Sequence, residues 1–273
     1  MFVTPYMVWR ITAVANVLAW LFLGRFRIFL ASALCAHLGV FIWGIFDLRL
    51  QFFVRVFRCG SPQSKMVAIS FDDGPDPDIT GAILDVLRQH RMTATFFVVG
   101  HRARLHPELL RRADREGHVI ACHDLTHRHT LNFRLANRMV REIEESRAIV
   151  SSIIGRTPRL YRPPNGLTNP FSMKALARLR MDCVGWSRSV RDAGNLRTRV
   201  LARIPALVAP GQIILLHDIL PVPENKGLLL RQIDALCVSI TSRGLRAVGV
   251  DELLGLPAYE PDLTCERAEH ATP

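Results

Sequence analysis

Two adjacent carboxylates, Asp72-Asp73, and two imidazoles four residues apart, His123 and His127, are of types and spacings that could do chemistry together. On a helix, the i, i+4 spacing would present both imidazoles from one face. One of the two carboxylates added to them makes a His₂Asp set, three protein ligands with a position left open for water, which is the pattern of a catalytic rather than a structural divalent metal. Successive residues after a strand point in different directions, so one aspartate can bind the metal while its neighbour takes a proton from the water. A metal-activated water is a hydrolytic nucleophile. His217 comes from a distant part of the chain and could protonate a leaving group. Singly, each feature has a plainer account, since Asp-Gly-Pro is an ordinary turn and a histidine pair often decorates a surface.

The elements that must bring these groups together are visible from Met66 onward. Short β-branched runs alternate with helical stretches: VAISF, GAILDVLRQH, ATFFVVG, PELLRRADREG, HVIAC and RLANRMVREIEESRAIVSSIIG. PRLYRP, NPFSMKALARLR, MDCVGWS, a helix around 197–208, GQIILLH, a helix over about 226–243 and LRAVGV continue the rhythm. Strands alternating with helices imply parallel pairing with both faces covered, as a barrel or a doubly wound sheet. Polar residues end nearly every strand: Asp72-Asp73-Gly74-Pro75, His123 and His127, Arg162-Pro163-Pro164-Asn165-Gly166, Asp192, and His217-Asp218. That is the end at which β/α barrels carry their active sites, and the repetition outweighs the plain account of each item.

The chain has 273 residues, 49% of them hydrophobic, and a net charge of +11, which excludes disorder, collagen and coiled coil as overall descriptions. Residues 1–60 hold Arg10, Arg25, Arg27, Arg49, Arg55 and Arg58 against the single acid Asp47, and so carry +5 of that charge. The remaining positive charge is scattered among acids with no basic, aromatic-interleaved stripe, which argues against nucleic acid as a partner. The six cysteines form no CxxC pair and are expected to be mostly buried thiols.

Residues 28–46, uncharged apart from a titratable His37, are long enough as a helix to span about 30 Å of hydrocarbon. VWRITAVANVLAWLFLG precedes them, and Arg25-Phe26-Arg27 would turn the two into a transmembrane hairpin. The stretch is too long for a cleaved signal peptide and no A-x-A site follows it. LRLQFFVRVFRCG, residues 48–60, reads as a short basic segment lying along the headgroups. The arginine count weakly favours the cytoplasm for the main domain.

SFDDGP (70–75), HDLTH (123–127), RPPNG (162–166), the aspartate of WSRSVRDAG (186–194) and LLHD (215–218) resemble the five ordered motifs of the NodB-homology polysaccharide deacetylases, carbohydrate esterase family 4. The likeness runs from about residue 66 to 255. It implies a distorted (β/α) barrel of about seven units in residues 61–258, and it does not cover the transmembrane hairpin within 1–60 or the acidic tail over 259–273, which is expected to be disordered. It also implies roles: Asp72 as general base; Asp73, His123 and His127 as metal ligands; His217 as general acid. Arg162 would hold Asp72, Asp192 would support His217, the backbone N–H of Asn165 would help hold the oxyanion, and Leu215 would line the pocket for the acetyl methyl. Three positions depart from the pattern. Asp124 stands where the family commonly has Ser or Thr, Asn165 where Tyr is common, and Ala193 where Trp follows the aspartate, so two aromatic walls of the sugar groove are missing. Asp124 is either a third acidic group near the metal or a helix cap.

The expectation is a membrane-anchored hydrolase that uses one divalent ion, zinc or else cobalt or another divalent metal, to remove N-acetyl groups from an amino-sugar glycan, polymeric or lipid-linked. A deformylase or O-acyl esterase acting on a membrane glycolipid is the alternative. A non-catalytic glycan-binding membrane protein is a second alternative, and would be expected to have lost at least one of the three ligands, all of which are present. The usual substrates of the resembling family place the catalytic portion on the extracytoplasmic face, against the arginine count.

Overall fold

The computed structural model describes residues 4–22, 27–127, 136–189, 202–220 and 222–261. A parallel sheet forms the body: β1 (Val56–Phe57), β2 (Met66–Asp72), β3 (Thr95–Val99), β4 (Val119–Asp124), β5 (Leu160–Tyr161), β6 (Asp182–Val184), β7 (Arg188–Ser189), β8 (Ile213–His217) and β9 (Arg246–Val248). Neighbours follow the order β1-β6-β5-β4-β3-β2-β8-β7, with β9 beside β2. β6 and β7 belong to one short run of chain, bent over Gly185–Ser187, whose first half pairs with β5 and whose second half pairs with β8. The run therefore touches both ends of the curled sheet, which makes a distorted (β/α) barrel in keeping with the expected fold.

Period-two alternation decides which side chains face inward. On β2, Val67, Ile69 and Phe71 join the outer core, while Ala68 joins an inner cluster with Phe97, Ala121, Leu160, Val184, Ile213 and Val248. The same parity carried up each strand puts Ser70 and Asp72 on the inner side of β2, His123 on that of β4, Arg162 beyond β5, and Leu215 and His217 on that of β8. The inner floor is apolar and the upper rim polar. Helices α3 (Thr80–Gln89), α4 (Gly100–Leu105), α5 (Pro107–Arg115), α6 (Ala136–Ile154), α7 (Pro170–Leu179) and α8 (Lys226–Ser242) cover the outer face with residues such as Leu84, Ala103, Leu110, Ile143, Leu176 and Ile233. Helix α7 begins as its sequence directs: Asn169 accepts from the N–H groups of Phe171 and Ser172, and Pro170 occupies the first turn.

Residues 1–60 differ from expectation. Helices α1 (Pro5–Phe22) and α2 (Arg27–Phe46) pack as a hairpin. Among the described residues, however, no helix is long and apolar enough to cross a membrane. The apolar run of α1 is interrupted by Arg10, Thr12 and Asn16, and that of α2 by His37. Those polar groups serve the hairpin itself: Trp9 Nε1 donates to the His37 carbonyl at 2.8 Å, and the His37 ring meets Thr12 Oγ1 at 3.0 Å and Asn16 Nδ2 at 3.3 Å. Residues 48–57 turn most of their apolar side chains into the core and leave Arg49 and Arg55 exposed. Phe52, Phe53, Val54 and Val56 are buried, and Phe53 stacks edge-on against Phe41 and Phe52. β1 then extends the sheet by pairing with β6. Aromatic side chains of that size each gain about 2 kcal/mol from burial.

Candidate active site and metal-binding cluster

Arg162 organises the rim of the barrel. It is fully buried, lies with its guanidinium carbon 3.9 Å from the centre of the Phe97 ring, and spends its donors on four acceptors. Nη1 reaches Asp72 Oδ1 at 2.6 Å and Ser70 Oγ at 2.9 Å, Nη2 the Gly185 carbonyl at 2.9 Å, and Nε the Val184 carbonyl at 3.4 Å. Burial lowers the pKa of the guanidinium, opposed by the Asp72 charge. A charge this deep is tolerated only when paired and hydrogen-bonded. The expected partnership of Arg162 with Asp72 is present. Ser70 and Phe97, which complete it, were not singled out in the sequence; the inward parity of Ser70, two residues before Asp72, was the available signal.

Asp73, His123 and His127 converge. One ligand atom from each lies within 4.8 Å of the others. His123 Nε2 and His127 Nε2 stand 3.3 and 3.0 Å from Asp73 Oδ1, a buried atom that nevertheless takes no hydrogen bond of good geometry. His123 Nδ1 lies 2.8 Å from the Arg162 carbonyl, an acceptor only, so Nδ1 carries the proton and the Nε2 lone pair faces the cluster. That arrangement of a ligating imidazole held by a backbone carbonyl is the usual support of a metal site. Burial works against the charged form of Asp73, and imidazoles protonated on Nε2 would outweigh it and hold the carboxyl well below the ordinary range. The same contact with Asp73 raises the pKa of His127. Two imidazole nitrogens and one carboxylate oxygen with an orphaned lone pair suit a divalent ion of borderline softness.

The histidines do not share a helical face. His123 is on β4, whereas His127 follows in a turn with φ of 50°, because the strand runs on to Asp124 and the chain must then fold back. Asp124 accepts the His127 N–H at 3.1 Å, so it caps this turn rather than a helix. Its burial raises the pKa of its carboxyl. Asp73 (φ 77°) and Asn165 (φ 56°) are also left-handed, a conformation non-glycine residues adopt at a cost and one that clusters at functional sites.

Asp218 fastens the loop that carries Asp73. Its carboxyl accepts from the Gly74 N–H at 2.9 Å and from Thr80 Oγ1 at 2.8 Å. Burial pushes its pKa up to about 8, against those two hydrogen bonds. A Cβ on Gly74 would fall 2.0 Å from the Asp218 carboxylate, so only glycine allows the approach.

His217 ends β8 in register with Asp72 on β2, and Leu215 lies two residues before it. Both line an open cleft of about 1270 Å³ together with Asp72, Asp73, His123, His127 and Asn165. Arg162 lies behind that wall. Asp192 and Ala193 fall outside the described residues. Of the described cysteines, Cys122, Cys183 and Cys237 are buried thiols and Cys35 and Cys59 are exposed.

A family model described as polysaccharide deacetylase matches residues 60–184. A chitooligosaccharide deacetylase of Bradyrhizobium sp. (strain ANU 289) is 36% identical over 181 residues, covering 66% of this chain and 78% of that protein. A peptidoglycan-N-acetylglucosamine deacetylase of Bacillus cereus is 31% identical, over 70% of this chain and 88% of the relative. Among solved structures, a peptidoglycan N-acetylglucosamine deacetylase in complex with an N-oxidanyl-benzamide superposes with a TM-score of 0.67 at 26% identity, covering 74% of this chain and 94% of that one.

Proposed function

The chain belongs to the polysaccharide deacetylase family, and from that premise we propose that it is a hydrolase that removes N-acetyl groups from an amino-sugar glycan, using one divalent metal ion held by Asp73, His123 and His127. The observation that carries this reading is the convergence of those three ligand atoms beside the Asp72–Arg162 pair at the open end of the barrel. The names of the relatives, a chitooligosaccharide and a peptidoglycan deacetylase, support the substrate class.

A metal such as zinc bound there supplies Lewis-acid polarisation of the amide carbonyl and acidifies a water. The chain's own groups do the rest. Asp72, fixed by Arg162 through one oxygen, uses the other to take the proton from the attacking water. The backbone N–H of Asn165, whose turn projects into the cleft, donates to the developing oxyanion. His217, level with Asp72, gives a proton to the sugar nitrogen as the carbon–nitrogen bond breaks, so acetate and free amine leave. Leu215 lines the space for the acetyl methyl, and Asp192 would orient His217.

We further propose that the α1–α2 hairpin holds the protein at a membrane. Of the sixteen exposed large hydrophobic side chains among the described residues, thirteen lie on these two helices, a concentration that marks an interaction surface. The polar groups meanwhile face one another across the pair. The catalytic portion would stand on the extracytoplasmic face, where exported glycans are found, and a reporter fused after Pro273 tests the side.

Incubating purified protein and zinc with N-acetylated, N-formylated and O-acetylated amino-sugar oligomers, with acetate, formate and free amine followed by mass spectrometry, tests the reaction. Acetate release from the N-acetylated oligomer, matched by new amine, is expected. Release only from the formyl or ester substrates would overturn it.

A further inference from the structure

The cleft has a wall that the family match does not reach. Besides the catalytic residues, it is lined by Trp43, Phe46, Asp47, Leu48, Arg49 and Arg58, all before residue 60, where the match begins. We infer that this wall binds a phosphorylated lipid carrier, so that the substrate is an N-acetylated amino sugar linked through phosphate to a long apolar chain. The inference rests on the deacetylase reading of the site.

The wall is built into the barrel. Leu48 and Val56 are buried against Gly185, where even a Cβ would fall 2.9 Å from Leu48 Cδ2 and 3.0 Å from Val56 Cγ1. Val56 and Phe57 pair with Cys183 and Val184, on the run that leads to Trp186. The Thr168 N–H donates to the Ile45 carbonyl at 3.3 Å, which ties the end of α2 to the loop after Asn165. The segment therefore has a fixed position relative to the catalytic groups.

Its chemistry does not match a neutral polymer. Arg49 grips Asp47 through Nε at 2.9 Å and Nη2 at 2.8 Å while 72% of its side chain stays exposed, and Arg58 lines the same cleft with its stem against Gly185. Two guanidinium groups and one carboxylate leave a net positive charge on the wall. An N-acetylglucosamine oligomer offers no anion to it, whereas a phosphate does, and arginine is the side chain whose fork fits one.

Trp43 and Phe46, 59% and 62% exposed, continue the wall into the apolar surface of the hairpin formed by residues such as Leu38, Ile42, Leu18 and Val14. A sugar in the cleft would thus have its phosphate beside Arg49 and Arg58 and its tail on the surface that we assign to the membrane.

The test compares three substrates with the full-length, zinc-loaded protein: N-acetylglucosamine linked by phosphate to a polyprenyl chain in phospholipid vesicles, N-acetylglucosamine 1-phosphate without a tail, and N-acetylated chitotetraose. The polyprenyl substrate should be deacetylated with the highest kcat/KM. Arg49→Ala combined with Arg58→Ala should lower kcat/KM about tenfold or more for both phosphorylated substrates relative to the tetraose, chiefly through KM. Trp43→Ala and Phe46→Ala should lower it for the polyprenyl substrate relative to the other two. The tetraose as the best substrate, or variants that reduce all three alike, would overturn the inference and leave the deacetylase reading intact. Binding of the polyprenyl-linked sugar, read by vesicle co-sedimentation, separates the two ideas: arginine-dependent binding without acyl release would sustain the wall and remove the hydrolase.

Discussion

Arg162 Nη1 lies 2.6 Å from Asp72 Oδ1 with both side chains buried, so the proposed base is held by a cation that cannot be solvated in its absence. Arg162→Ala should destabilise the domain by about 3–5 kcal/mol, since it strands the Asp72 carboxylate. Arg162→Lys should restore part of the stability, but less of the rate, because the fork that spans Asp72, Ser70 and Gly185 is lost. Urea unfolding and kcat for the two variants check both halves, and an Arg162→Ala protein as stable as the parent contradicts the first.

Asp124 acts on the metal cluster through the backbone of His127. Asp124→Ala should weaken zinc binding about 10- to 100-fold, as loss of a supporting contact does. Asp124→Asn keeps an acceptor for that N–H and should stay close to the parent. Competition with a chelator of known affinity measures both; equal losses in the two variants would show that the charge, and not the turn, matters.

At Asp218, burial pushes the pKa up to about 8, so at neutral pH the folded protein holds this carboxyl protonated. Asn is the isostere of that form, with an oxygen for the Gly74 N–H and an amide that donates to Thr80 Oγ1 once the hydroxyl turns from donor to acceptor. Asp218→Asn should therefore keep stability at pH 7, whereas Asp218→Ala should lose about 1–3 kcal/mol by leaving buried donors unmet. Thermal or urea unfolding of the pair decides it.

His118 provides a pH signature away from the metal cluster. Its Nδ1 accepts the Ala94 N–H at 3.1 Å, and burial lowers its pKa from 6.5 to about 4. Between those values the unfolded chain binds a proton that the folded chain refuses. The stability it contributes is thus complete above pH 6.5 and falls as pH drops toward about 4, by at most about 3 kcal/mol. His118→Gln should flatten the stability profile over that window, and an unchanged slope would count against the neutral buried imidazole.

The position of Asp72, His123 and His217 at strand ends was legible in the sequence, because each strand read cleanly. The same was true of Arg162, one step past Leu160-Tyr161. Alternation is silent where the chain leaves the strand. Asp73, His127 and Asn165 reach the cleft through left-handed turns whose geometry depends on distant partners such as Asp218 and Asp124. The helical placement of the histidine pair failed for this reason: a spacing of four fits one turn of helix and also a strand end followed by a capped turn. The burial of Phe52, Phe53, Val54 and Val56 was not legible because the basic, aromatic pattern of residues 48–57 fits a headgroup layer as well as a core, and only the open edge of β6 distinguishes the two.

Zinc titration of purified Asp72→Asn and Asp73→Asn beside the parent, with deacetylation followed on the same samples, addresses the division of labour between the adjacent aspartates. The parent should bind one equivalent. Asp72→Asn should keep it while losing about 10²- to 10⁴-fold in rate, the usual share of a positioned proton acceptor. Asp73→Asn should lose affinity and regain part of its activity at excess zinc, and His123→Ala or His127→Ala should lose metal and activity together. Loss of metal in Asp72→Asn but not in Asp73→Asn, or full metal and full rate in either histidine variant, would contradict the account.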